Sequence, residues 1–138
     1  MAQIELEMGP LDDAVTELRT DRVAERAWPV NDFESIKEKR AFERRYLPFL
    51  KTVVDFDIAC EIGFHQLAGN PLAIKHLLLL KLAPPVTVLR RLDRLCRLGV
   101  VSRTRSSRDH RVQELRLAGD VLRLYASYAR CGEEPREA

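Results

Sequence analysis

Apolar residues recur at helical spacing along most of the chain and switch to strict alternation only once. Leu11, Val15 and Leu18 step by i, i+4 and i+7 and predict a helix over 11–27, with acidic residues early, as a helix N-terminus prefers. Trp28–Pro29 breaks it. Asn31 with Glu34 three positions on forms a capping pair for a second helix through Tyr46, mostly charged, with Phe33, Ile36 and Phe42 as its apolar content. Pro48 marks a third start. Leu50, Val54, Ile58 and Ile62 step by four, Val53 and Phe56 widen the stripe, and the helix runs to about Ala68. Gly69 ends it, Asn70 caps the next helix with Pro71 at its first position, and the leucine-dense stretch 72–82 reads as buried.

The stretch 84–117 differs from everything before it. Over 85–98, Val88, Leu89, Leu92, Leu95 and Cys96 fall within one apolar arc, while Thr87, Arg90, Arg94 and Arg97 form the opposite ridge with Arg91 on its flank. Pro84 and Pro85 set φ for a first turn, and Gly99 supplies the left-handed residue that stops a helix. Val100–Thr104 and Val112–Leu117 are β-branched or alternating and read as two strands. The polar loop between them carries Arg105, Arg108 and Arg111. A closing helix over 120–130 follows, with Val121, Leu122, Leu124 and Tyr125, and then a frayed tail from Glu133.

A helix with a basic ridge followed by a basic hairpin is the plan of a winged helix–turn–helix, here mainly α with a β-hairpin wing and an N-terminal helical extension. The sequence also resembles the MarR-type (multiple-antibiotic-resistance regulator) transcription factors. The resemblance rests on Thr87–Val88–x–Arg90–x–Leu92–Asp93–Arg94–Leu95, on Leu98–Gly99–Val100–Val101–x–Arg103, and on Asp109–x–Arg111 followed by Leu115–x–Leu117. It covers about the second half of the chain, and it implies a DNA-binding transcriptional regulator. It also implies that Asp109 orients an arginine rather than touching DNA. Pro84, Leu89 and Ala118 depart from the family pattern, which places polar residues there.

Charge sharpens this picture. The net +2 conceals a division: residues 1–74 carry 9 Lys/Arg against 14 Asp/Glu, 75–116 carry 11 against 3, and 117–138 carry 3 against 4. A basic segment on an acidic body is the electrostatic footprint of a nucleic-acid binder. With 46% apolar and 32% charged residues the composition is that of a soluble globular protein of one core. No apolar run approaches membrane-spanning length and the start lacks a signal-peptide layout, so a cytoplasmic location is expected. Cys60, Cys96 and Cys131 lack CxxC spacing and read as reduced thiols. Redox sensing by Cys60 or Cys96 is the lesser reading.

Other chemistry finds little support. Cys60 and His65 lie on different helical faces and no second Cys/His pair follows, so neither metal nor cofactor is expected. Catalytic motifs are absent, and an enzyme is not expected. The aromatic set Trp28, Phe33, Phe49, Phe56 and Phe64 reads as core before it reads as a pocket, and a small-molecule effector has no support.

The expected organisation is a helical extension over 1–46 with a dimerisation role, a winged-helix core over 47–118, and a C-terminal helix and tail over 119–138. The expected partner is double-stranded DNA. Arg90, Arg91 and Arg94 reach base edges in the major groove, flanked by Thr87, Arg97 and Arg103, while Arg105, Arg108 and Arg111 lie on the backbone or in the minor groove. Only about twenty residues follow the wing. A homodimer is therefore expected to form largely through 8–46, with help from 120–130. The alternative is a winged-helix module that binds protein and not DNA.

Overall fold

The computed structural model describes residues 29–131. The helix read over 11–27, Trp28 and the tail from Glu133 lie outside the described residues. Residues up to Lys37 and those from Glu38 onward form two units, and the second carries the core.

Helix α1 is Asn31–Tyr46, with Asp32 and Glu34 in its first turn and Arg44 and Arg45 in its last, each sign at the dipole end that favours it. It begins at Asn31 rather than after it. The Val30 carbonyl accepts the Glu34 N–H at 3.2 Å, so the residue before Asn31 supplies the first helical acceptor.

Helix α2, Val53–Leu67, starts later than Pro48 suggested, because a capping box decides its first turn. The Thr52 hydroxyl accepts the Asp55 N–H at 3.2 Å, and the Asp55 carboxylate accepts the Thr52 N–H at 3.1 Å. Its far end closes on Gly69 at φ 82°, with the Asn70 N–H donating to the His65 carbonyl at 2.9 Å. Asn70 therefore finishes α2 instead of capping the next helix. That next helix, α3, is only Ile74–Leu79. The reason lies in the hairpin. The Leu72 carbonyl accepts the Leu115 N–H at 2.8 Å and Ala73 bridges Glu114, which holds 72–73 extended.

Helix α4, Pro85–Arg97, has proline at its first position and ends on Gly99 at φ 78°, where the Val100 N–H reaches the Leu95 carbonyl at 3.0 Å. Strands β1, Val101–Arg105, and β2, Gln113–Leu117, pair antiparallel, Val101 opposite Leu117 and Arg105 opposite Gln113. Helix α5, Gly119–Ala129, follows.

One core joins these elements. Ile58 and Ile62 from α2, Leu77 from α3, Val88, Leu92 and Leu95 from α4, and Leu115 and Leu117 from β2 are all buried together. Each such side chain contributes roughly 1.5–3 kcal/mol relative to exposure. Gly63 lets α2 lie close to the hairpin, since a Cβ there would stand 2.9 Å from Leu117 Cδ1. Beside it, Gln66 accepts the Leu117 N–H at 2.7 Å and ties α2 to the end of β2. No helix among the described residues is long and apolar enough to cross a membrane.

Candidate nucleic-acid interface

Helix α4 anchors its inner face with Val88, Leu92 and Leu95, which leaves Val86, Leu89, Arg90, Asp93 and Arg97 exposed on the outside. Arg90 stands free of ion pairs among the described residues, whereas Arg97 Nε meets Asp93 at 3.2 Å. Thr87 is half-buried at the side. Leu89, expected in the apolar arc, is 41% exposed and Val86 is 66% exposed. Leu89 lies about 100° from Val88 and about 60° beyond Leu92 around the helix, and so falls at the edge of the sector that Val88, Leu92 and Leu95 fill.

Arg91 and Arg94 do something else. Both turn toward the start of α2, where the Asp55 carboxylate is wholly buried (0% exposed). Arg91 forms a two-pronged pair with it, its Nε donating to Oδ1 at 2.6 Å and its terminal NH2 group to Oδ2. Arg94 donates to the Phe49 carbonyl at 2.8 Å and reaches Asp55 Oδ2 at 3.5 Å. The Lys51 N–H adds another donor at 2.8 Å. Burial alone would raise the Asp55 carboxyl, but the Arg91 guanidinium and the Lys51 and Thr52 N–H groups outweigh it and hold the pKa below its ordinary 3.8. The same partner keeps Arg91 charged. Arg91 and Arg94, read from sequence as candidates for base contact, are thus engaged inside the protein. Periodicity places them near the basic ridge but cannot show a carboxylate 36 positions earlier. The available signal was Thr52–x–x–Asp55, a capping pattern ahead of an apolar run.

The loop joining β1 to β2 is held by its own polar groups. Ser106, buried at the base, donates its N–H to the Val112 carbonyl at 2.9 Å and accepts the Arg108 N–H on its hydroxyl at 3.1 Å. Asp109 Oδ1 accepts from the Arg111 N–H at 3.0 Å and from its Nε at 3.2 Å. Arg103, Arg105, Arg108 and Arg111 are all exposed.

The other candidate groups occupy quieter places. Phe56 packs against Tyr125 at a tilt and against Tyr128 edge-on, with ring centroids 5.1 and 5.4 Å apart, and the Tyr125 hydroxyl donates to the Phe56 carbonyl at 2.9 Å. Phe49 packs against the core, and Phe64 is exposed. Burial, reinforced by the charges of Glu61 and Asp57, pushes the Cys60 thiol above its ordinary pKa of 9.0. An open cavity of about 600 Å³ lies over Lys51–Thr52, bordered by Arg40, Glu43 and Tyr128.

No protein-family model and no curated protein matches the chain in sequence. Solved structures do match it in fold. S. aureus MepR bound to ethidium bromide aligns at a TM-score of 0.60 with 15% identity, covering 71% of this chain and 66% of that one. A point mutant of MepR aligns at 0.52 with 17% identity, covering 71% and 70%. The fold is a winged helix–turn–helix, that of the MarR-type regulator MepR. In that fold α3 and α4 are the helix–turn–helix pair and the β1–β2 hairpin is the wing. The chain spans about two thirds of the length of the MepR structures.

Proposed function

We propose that the protein binds double-stranded DNA in a sequence-specific manner, as a MarR-like transcriptional regulator. One observation carries this reading: of the basic residues concentrated in 75–116, Arg90 and Arg97 on helix α4 and Arg103, Arg105, Arg108 and Arg111 on the hairpin all keep exposed side chains. Arg90, on the face opposite the buried Leu92, is placed to meet a base edge, with Thr87 and Arg97 on the same ridge. Arg103, Arg105, Arg108 and Arg111 serve phosphates or the minor groove, where compact positive charge is attracted. Asp109 keeps Arg111 in position. The protein acts as a homodimer in the cytoplasm, joined largely through 8–46 and helped by 120–130, so that two recognition helices meet half-sites about one DNA turn apart. The core over 47–118 reads DNA, the segment 1–46 assembles the dimer, and 119–138 closes the core. No catalysis is invoked.

The test is selection from a random duplex pool, followed by salt titrations on the selected site and on a scrambled one. With four to five phosphates met per subunit, log affinity should fall against log salt with a slope of about −4. A slope near zero, or no preference for the selected site, overturns the reading. Val86 and Leu89, exposed beside Arg90, favour a second reading, a winged helix that docks on protein. Absence of duplex binding at low salt would favour it.

A further inference from the structure

Asp55 stands on a different helix from the recognition helix, yet three of the four hydrogen bonds that α4 makes to the start of α2 and the residues just before it end on its carboxylate, the fourth being that of Arg94 to the Phe49 carbonyl. We propose that Asp55 is a specificity-determining positioning residue: it withdraws Arg91 and Arg94 from the DNA-facing ridge and fixes the rotation of α4, so that Arg90 alone of the three reads bases. The inference rests on the DNA-binding reading above and says how selectivity is built within it.

The geometry supports this in three ways. Viewed down α4, Arg94 lies only about 40° from Arg90, and Arg91 about 100° to the same side. Without a partner, Arg94 would share the sector of Arg90 and Arg97 and offer a second long cation to any phosphate. Secondly, the pairing is directional. Arg91 grips both carboxylate oxygens, and a two-pronged guanidinium–carboxylate contact fixes orientation as well as distance. Thirdly, Oδ2, the oxygen that meets the terminal NH2 group of Arg91, also accepts the Lys51 and Thr52 N–H groups, so the anchor belongs to a helix start and does not move with α4. A cation contributes affinity for any duplex through counterion release, whereas a base contact discriminates between duplexes. Sequestering two of three neighbouring arginines therefore lowers indiscriminate affinity and leaves discrimination to the one that remains.

The experiment measures affinity against salt on the selected and scrambled duplexes for the full chain and for its variants. Asp55→Asn keeps the shape and the capping oxygen but removes the charge that holds the arginines. Its salt slope should steepen by about one to two on both duplexes. The ratio of affinities between selected and scrambled sites should fall about tenfold. Adding Arg91→Gln and Arg94→Gln to that variant should return the slope to its parental value. A role in stability alone would lower the melting temperature and leave slope and ratio unchanged in the folded fraction, and that result overturns the proposal. Arg94→Gln and Arg90→Gln in the otherwise unchanged chain provide a check that does not depend on Asp55→Asn folding. Arg94→Gln should leave the slope unchanged, and Arg90→Gln should reduce it by about one and cut the ratio. A slope reduced by Arg94→Gln overturns the proposal, since that side chain would then be meeting phosphate. If the parental chain shows no site preference, the DNA reading itself falls. A parental preference with unaltered slope and ratio in Asp55→Asn sinks only the role of Asp55.

Discussion

A carboxylate with no solvent exposure is stable only because donors converge on it, and Asp55 has Arg91, Arg94 and two backbone N–H groups. Removing its charge strands two partly exposed guanidinium groups, so Asp55→Asn should lower stability at neutral pH by about 2–4 kcal/mol, read from urea unfolding. The acid response follows from the sign of its shift. The folded-state pKa lies below 3.8, so the stabilisation is fully present above about 3.8 and is lost as pH falls through the lower, folded value. The parental chain should lose more stability than Asp55→Asn across that window, and parallel pH profiles would contradict the assignment. Cys60 offers a contrast at the same scale. Its residue is exposed, but burial of the thiol and neighbouring acidic charge raise its pKa, so alkylation at neutral pH should be slower than for a free thiol in a peptide.

At the scale of elements, the proposed DNA-binding roles of helix α4 and the wing should differ in what their mutation changes. Arg90→Ala should cost about 1–3 kcal/mol on the selected duplex and relax base choice there. Arg108→Ala should weaken all duplexes by a similar factor and reduce the salt slope by about one. Both side chains are exposed, so neither change should move the melting temperature much. The reverse pattern would exchange the roles of helix and wing. The junction of α4 with β1 gives a separate test of backbone strain. Gly99 sits at φ 78° with nothing within 4 Å of where a Cβ would stand. Gly99→Ala should then cost about 1 kcal/mol from left-handed strain alone, measured by thermal unfolding.

For the whole molecule the proposal joins two copies through 8–46. Light scattering of the full chain should give twice the monomer mass, and deletion of residues 1–30 should give a folded monomer. A truncated chain that stays dimeric would place the interface elsewhere. A monomer should also bind its site more weakly than the dimer, because each subunit then meets its half-site without the effective concentration supplied by its partner.

What could be read from residues alone follows the range of the forces involved. Helix and strand identity from 53 to 129 was legible because a buried face repeats every 3.6 or 2 residues, whatever it packs against, whereas helix α1 buries no residue and was read from its breaks and its capping pair. Ile58, Ile62, Leu92, Leu95, Leu115 and Leu117 showed themselves in this way, as did Gly69 and Gly99 at the helix ends. The plan of basic helix and hairpin was legible too, since it is local in the chain. Three features depended on residues distant in sequence. The start of α3 moved to Ile74 because the Leu72 carbonyl belongs to the hairpin. Leu89 turned outward because the core, not hydrophobicity, decides which sector of a helix is covered. Arg91 and Arg94 left the ridge because a buried carboxylate on another helix attracts them more strongly than water does. A charge pattern along one helix shows where cations can stand. Which of them remain free to meet a partner depends on the acids that the fold brings alongside.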